Sequence, residues 1–306
     1  MQHAWIFPGQ GSQSVGMGKA LAEREPLARA VFEEADAVLG FPLSRVIFEG
    51  PAEELAATRN QQPALLATSI AYLRVLEERG ALPEPAVVAG HSLGEYTALV
   101  AVGSLDLADG IRIVRRRGEL MERYGLGGML AVIGLDRATL EAIAAETGVE
   151  LANENAPNQL TLSGRDEALD RAADLARQRG ARRVVRLAVN AAFHSSLMRP
   201  VAEELARDLA GVTIRPPRVP LIACSDARVL TDPEEIRAEL VAQIAAPVRW
   251  VEVVRKATEL GVSAFWEIGP GQVLSGLVRR IVPEAMTYTA EQLVDEARAR
   301  ASEASR

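Results

Sequence analysis

Val87-Val88-Ala89-Gly90-His91-Ser92-Leu93-Gly94-Glu95 sets a serine between two glycines, after a short apolar run and before a helix-like stretch. This is the sequence form of a nucleophile elbow. A strand delivers the hydroxyl to a turn too tight for flanking side chains, and the amide of the next residue, Leu93, faces a developing oxyanion. Gly-x-Ser-x-Gly alone arises by chance in roughly one chain in ten of this length, so the strand before it and the helix after it carry the reading.

A serine hydroxyl attacks only when a base takes its proton. The chain holds three histidines. His3 precedes the first expected strand and reads as a surface residue. His91 sits inside the elbow with its side chain directed away from that of Ser92, which leaves it a packing role. His194 follows an expected strand at the return to the main sheet, and elimination favours it as the base. An acid between serine and histidine in chain order would complete a triad. Asp106, Asp136, Asp166, Asp170 and Asp174 all satisfy the order, but none sits in a stretch that marks it as buried. A Ser-His dyad oriented by some other acceptor stays open.

Arg117 is the third clue. On a helix, Ile113, Val114, Arg117, Leu120 and Met121 share one face, so the arginine interrupts an apolar stripe. Arg115 and Arg116 point elsewhere and read as solvated charges. A buried guanidinium left without its partner costs about 3–5 kcal/mol. Two readings stand: a structural ion pair with Glu95 or another acid, and a bidentate clamp on a substrate carboxylate. The loop Phe7-Pro8-Gly9-Gln10-Gly11-Ser12-Gln13 is neither a dinucleotide fingerprint nor a Walker A loop, since Ser14 stands at the third glycine position and Ala20 at the hydroxyl position. At a strand's carboxyl end it can instead bring a backbone N–H, that of Gln10, beside the elbow.

The elements that must position these groups alternate. Strands are expected at 4–7, 86–90, 220–223 and 264–268. Helices are expected at 27–38, 62–79, 93–102, 108–123, 196–209, 233–243 and 250–260. Such alternation implies a covered, mainly parallel sheet. Between the two halves, strands at 129–133, 149–152, 159–163 and 183–189 enclose helices at 138–146 and 166–179. That βαββαβ order is the ferredoxin-like one. The expectation is an α/β fold: a discontinuous α/β-hydrolase-like domain, 1–124 and 191–306, with a ferredoxin-like insertion at 125–190. The Ala-, Glu- and Arg-rich tail from 291 to 306 reads as a frayed surface helix.

Composition narrows the class. The 306 residues carry 48% hydrophobic side chains and a formal charge of −7, with basic stretches balanced by nearby acids. A nucleic-acid or membrane partner is not expected. The N-terminus shows no signal-peptide pattern, and a single cysteine, Cys224, suits a reducing, cytoplasmic setting and reads as buried filler. Scattered histidines and a lone cysteine offer no metal site.

These pieces in this order resemble the malonyl-CoA:acyl carrier protein transacylases, the acyltransferase family of fatty acid synthesis and of polyketide acyltransferase domains. The likeness runs from Phe7 to about Arg280. It rests on Pro8-Gly9-Gln10-Gly11-Ser12-Gln13, Gln61-Gln62-Pro63-Ala64, Gly90-His91-Ser92-Leu93-Gly94-Glu95-Tyr96, Arg117-Gly118, Asn153-Glu154-Asn155-Ala156-Pro157, Phe193-His194-Ser195, Pro247-Val248-Arg249-Trp250 and Glu267-Ile268-Gly269-Pro270-Gly271. The resemblance implies an acylated Ser92, His194 as base, Arg117 gripping a malonyl carboxylate, and the backbone amides of Gln10 and Leu93 as oxyanion hole. It implies that the main-chain carbonyl of Gln243 orients His194, that Asn153 and Asn155 line the cleft, and that Phe193 crowds an α-methyl group. It further implies coenzyme A thioesters and acyl carrier protein as partners, no metal or redox cofactor, and a monomer. Ala223-Cys224-Ser225 departs from a common Ser-Asn-Val, and Ala246 from the Asn, Ser or Thr of many members. Remaining alternatives are transacylases of polyketide or malonate decarboxylase systems, a serine esterase or thioesterase, and a non-catalytic scaffold.

Overall fold

The structure, a computed structural model, describes residues 2–304. Among these, ten strands run in chain order as β1 (Gln2–Phe7), β2 (Val87–Gly90), β3 (Gly128–Ile133), β4 (Glu150–Ala156), β5 (Gln159–Gly164), β6 (Arg183–Arg186), β7 (Leu221–Ile222), β8 (Val229–Leu230), β9 (Val262–Glu267) and β10 (Met286–Thr289). They form two sheets, ordered β10-β9-β1-β2-β7-β8 and β4-β5-β3-β6.

In the six-stranded sheet every neighbouring pair is parallel except β7 with β8 at one edge. The apolar runs Ala4-Trp5-Ile6-Phe7 and Val87-Val88-Ala89 are buried on both faces, as a helix-covered sheet requires. Strand alternation splits them: Trp5, Phe7 and Val88 enter one core, while Ala4, Ile6, Val87 and Ala89 enter another. Phe7 pairs with Gly90. The chain therefore leaves β1 and β2 at one carboxyl edge, and the Pro8-Gly9-Gln10 loop starts beside the elbow, where open α/β sheets bind ligands.

The four-stranded sheet is antiparallel and follows the βαββαβ order, with helices Arg137–Thr147 and Asp166–Gln178. Leu130, Val132, Leu140, Ile143, Leu162 and Leu169 are among the residues of its own core. Its β4 edge is extended by the segment after Gln243: Val248 N–H donates to the Ala152 carbonyl and Glu154 N–H to the Val248 carbonyl, both at 2.8 Å.

Several boundaries differ from expectation. The helix expected from Gln62 begins at Thr58 and runs to Glu78 through Pro63, its first turn held by Glu122 accepting from the Arg59 N–H. β6 stops at Arg186, because the chain then turns away to line the cleft with Leu187, Ala188 and Val189. Helices Lys19–Arg24, Leu43–Glu49 and Ala52–Ala56, with β8 and β10, had no expectation because they are short; helix Val273–Ile281 had none either, although Leu274, Leu277 and Val278 form a buried apolar face. The tail helix spans Ala290–Ala304 but is not only a surface element, since Ala290 and Leu293 are buried. Ser305 and Arg306 lie outside the described residues. His3 lies within β1, half-buried, and its Nδ1 accepts from the Trp266 indole at 3.0 Å. No helix among the described residues is long and apolar enough to cross a membrane.

Candidate active site

Ser92 has a φ of 54°, a left-handed conformation that costs a residue with a Cβ roughly 1–2 kcal/mol. The surrounding packing compels it. A Cβ on Gly90 would fall 1.9 Å from the carbonyl carbon of Gly94, and one on Gly94 would fall 2.1 Å from the Phe7 carbonyl oxygen. Both glycines are there for close approach. Gly9 packs the β1 loop onto the same turn, with a Cβ there only 2.4 Å from the His91 carbonyl oxygen.

His194, also at positive φ (58°), meets Ser92 from the far side of the chain. Its Nε2 lies 2.8 Å from Ser92 Oγ, and its Nδ1 lies 2.8 Å from the Gln243 carbonyl oxygen and 3.1 Å from that of Ala246. Carbonyl oxygens only accept, so Nδ1 bears the proton and Nε2 is free to accept from the serine hydroxyl. Gln243 follows helix Pro233–Ala242, whose last carbonyls have no partner within the helix. One of these spare acceptors takes the place of a triad acid. Burial, with the Arg117 cation adding to it, pushes the imidazole down to about 3, which keeps it neutral. The five aspartates serve elsewhere: Asp106 pairs with Arg215, Asp136 caps the helix at Arg137, Asp166 and Asp170 face Arg186, and Asp174 pairs with Arg177.

Arg117 is fully buried on helix Leu107–Arg123, beside Ile113, Val114, Leu120 and Met121. Its hydrogen-bond partners are neutral. Nη1 donates to Gln62 Oε1 at 2.8 Å, Nη2 donates to Ser92 Oγ and to Gln243 Oε1 at 2.9 Å each, and Nε has no partner. The expected alternative of an ion pair with Glu95 is not formed: the Glu95 oxygens accept from the Cys224 N–H and the Gln243 amide. Desolvation holds the guanidinium below its ordinary range. Arg115 and Arg116 differ from the solvated charges expected, pairing half-buried with Glu119 and with Asp208 and Glu204. Gly118 explains how Gln62 reaches Arg117. A Cβ there would come within 2.6 Å of the Arg59 backbone, so the two helices cross almost in backbone contact.

A cleft of about 590 Å³ opens over Ser92, and its wall includes Gln10, Met121, Asn153, Phe193 and His194. That size suits a small-molecule site. Leu93 and Gln243 are buried behind it. Gln10 donates its side-chain amide to Gln61. Asn153 sits on the wall with Oδ1 unpartnered. Asn155 pairs with His91, its Oδ1 2.8 Å from Nε2, so His91 is tied to β4 as well as packed against Trp250. Sequence reasoning named Glu95 only as a direct ion-pair partner of Arg117, quoted Gln62 only within a motif of the resemblance, and missed the Gln243 side chain. The same argument that flagged Arg117, a polar residue within an apolar helical stretch, applies to Gln62 and Glu95.

The acyl transferase domain family matches residues 4–300 of the chain. The malonyl CoA-acyl carrier protein transacylase of Bacillus subtilis (strain 168) is 46% identical over 286 residues, covering 91% of this chain and 90% of that protein. Among solved structures, the acyl-carrier-protein-S-malonyltransferase of Bartonella henselae superposes with a TM-score of 0.94 at 43% identity, covering 98% and 99% of the two chains. A malonyl-transacylase solved in complex with a type II polyketide synthase acyl-carrier protein gives 0.92 at 42% identity, covering 94% and 96%. With this coverage and identity added to the Ser92–His194 pair and the buried arginine beneath it, the chain belongs to the malonyl CoA-acyl carrier protein transacylase family of acyl transferase domains.

Proposed function

We propose that the chain transfers a malonyl group from malonyl-CoA to the phosphopantetheine thiol of an acyl carrier protein through a malonyl-serine intermediate, in fatty acid synthesis. The observation that carries this reading is Arg117: a fully buried cation on neutral partners, one of them the nucleophile itself.

Nε2 of His194 takes the Ser92 proton as Oγ bonds to the thioester carbonyl carbon. The amides of Leu93 and Gln10 stabilise the oxyanion, each worth on the order of 10²–10³ in rate. The C–S bond then breaks, and the coenzyme A thiolate takes the proton from the imidazolium. The carrier thiol enters, gives its proton to Nε2, and attacks the malonyl ester; Ser92 leaves and recovers the proton. The C-terminal end of helix Pro233–Ala242, aimed at Nδ1 through Gln243, favours the transient imidazolium. The malonyl carboxylate takes the Arg117 Nε–H, which the protein leaves without a partner. An acetyl group has nothing to offer that cation. The steps call on no metal or redox cofactor. Phe193 and the unpartnered Asn153 Oδ1 shape the cleft around the acyl group. Residues 1–124 with 191–306 would form the catalytic domain and 125–190 its insertion, working as a monomer; the free, buried Cys224 accords with the cytoplasm.

Intact mass after brief exposure to malonyl-CoA, with acetyl-CoA and a Ser92→Ala variant alongside, tests the reading. A malonyl adduct absent from the variant and discharged by carrier protein is expected. Coenzyme A release without an adduct would make the protein a hydrolase instead.

A further inference from the structure

Behind the nucleophile lies a group of buried polar side chains that the proposed chemistry leaves unused. Glu95, Glu239 and Cys224 each expose 1% or less of their surface, and their carboxylate oxygens and Sγ fall within 4.8 Å of one another. Glu239 accepts from the Ser225 N–H at 3.1 Å and from its hydroxyl at 2.7 Å. Glu95 accepts from the Cys224 N–H and, through its other oxygen, from Gln243 Nε2, both at 2.6 Å. Cys224 and Ser225 belong to the tripeptide that departs from the family's common Ser-Asn-Val.

The Gln243 carboxamide can be oriented in only one way. Nε2 faces the Ser92 carbonyl oxygen at 3.1 Å and Glu95 at 2.6 Å, whereas Oε1 faces the Arg117 guanidinium at 2.9 Å. A carbonyl cannot donate and a guanidinium cannot accept. Rotating the amide by half a turn would therefore set donor against donor and acceptor against acceptor.

From this chain of contacts we infer that Glu95 is a positioning residue for malonyl selectivity: through the Gln243 carboxamide it fixes Arg117 and supplies its counter-charge from two hydrogen bonds away. A carboxylate touching Arg117 directly would occupy the donors a malonyl group needs. One placed behind a neutral amide offsets the buried cation and leaves the Arg117 Nε–H unclaimed. Burial, and the proximity of Glu239, raise the Glu95 carboxyl well above its usual range, and burial raises that of Glu239. Both Glu95 oxygens nevertheless accept from N–H groups, the arrangement that favours the ionised form.

The inference rests on the malonyl-transfer reading, so the test separates the two. We would measure kcat and KM for malonyl-CoA and acetyl-CoA in the unaltered protein, Glu95→Gln and Glu239→Gln, with thermal unfolding to establish that each is folded. In Glu95→Gln the new side chain must present an NH₂ either to the Cys224 N–H or to Gln243. The malonyl-to-acetyl ratio of kcat/KM should fall about tenfold, mainly through malonyl KM. In Glu239→Gln both Glu95 contacts, to the Cys224 N–H and to Gln243, stay in place and the ratio should hold within about twofold. An unchanged ratio in Glu95→Gln, or equal losses in both variants, would overturn the inference. Should Glu95→Gln not fold, Gln243→Met removes the carboxamide while keeping the main-chain carbonyl on His194, and it must lower the same ratio. Absence of malonyl preference in the unaltered protein would instead strike the functional reading itself.

Discussion

Arg117 Nη2 donates to Ser92 Oγ at 2.9 Å while Nε2 of His194 takes up the same oxygen at 2.8 Å. The nucleophile therefore rests as a hydroxyl that donates its hydrogen bond to the base and accepts one from a buried cation. When Ser92 is acylated that second bond is lost, and the malonyl carboxylate is the group that can replace it. Arg117→Ala should lower malonyl-CoA kcat/KM by about 10² to 5 × 10³, the equivalent of the roughly 3–5 kcal/mol attached to a buried charge pair, and lower acetyl-CoA transfer far less. Steady-state kinetics with both donors decides it. Equal losses would remove the clamp from the mechanism.

The neutral state of His194 makes a second outcome measurable. A group near 3 stays unprotonated throughout the range where a free imidazole titrates. Serine acylation, followed by quenched-flow mass spectrometry, should hold its plateau from pH 8 down to pH 5. An ordinary imidazole would already be about 97% protonated at pH 5, so a roughly thirtyfold loss with a midpoint near 6.5 would show that water reaches the base.

Strain at the elbow predicts a difference between two inactive variants. Ser92→Ala and Ser92→Gly both delete the hydroxyl, but only glycine adopts a φ of 54° freely. Ser92→Gly should be the more stable by about 1 kcal/mol in denaturant unfolding. The reverse order would mean that the turn carries no strain.

The helix crossing at Gly118 links packing to selectivity. Gly118→Ala puts a methyl 2.6 Å from the Arg59 Cα and the Thr58 carbonyl oxygen. Overpacking there should cost about 1–3 kcal/mol in stability and draw Gln62 away from Arg117, raising malonyl KM several-fold. Loss of stability with KM unchanged would detach Gln62 from the clamp.

Phe193 narrows the wall of the cleft beside His194. Phe193→Ser should improve methylmalonyl-CoA turnover relative to malonyl-CoA by about tenfold, within the 1–3 kcal/mol that such steric selection supplies. Competition between the two donors, read as adduct masses, tests it.

The sequence is most legible where one physical requirement dominates. Gly90 and Gly94 announce a tight turn, the stripe from Ile113 to Met121 fixes which way Arg117 faces, and the βαββαβ run of residues 128–186 follows from plain strand and helix periods. What it hides are partnerships formed across the fold. The Gln243 carbonyl reaches His194 from 49 residues away, and the resemblance, not any local pattern, pointed to it. Its side chain had no such pointer, and the apolar stretches around Gln62 and Glu95 mark those two as buried without saying which group each one meets. Short elements such as Leu43–Glu49 and Val229–Leu230 escape for a different reason: they have too few residues to display a period.

The six residues from Gln243 to Val248 touch two things at once. Their first carbonyl and that of Ala246 hold the imidazole, while Val248 is laced onto the β4 edge through Ala152 and Glu154. One short stretch of backbone therefore joins the edge of the four-stranded sheet to the groups that hold the base. The strand that carries Asn153 and the carbonyls that aim Nε2 at Ser92 are thus parts of one continuous hydrogen-bonded path.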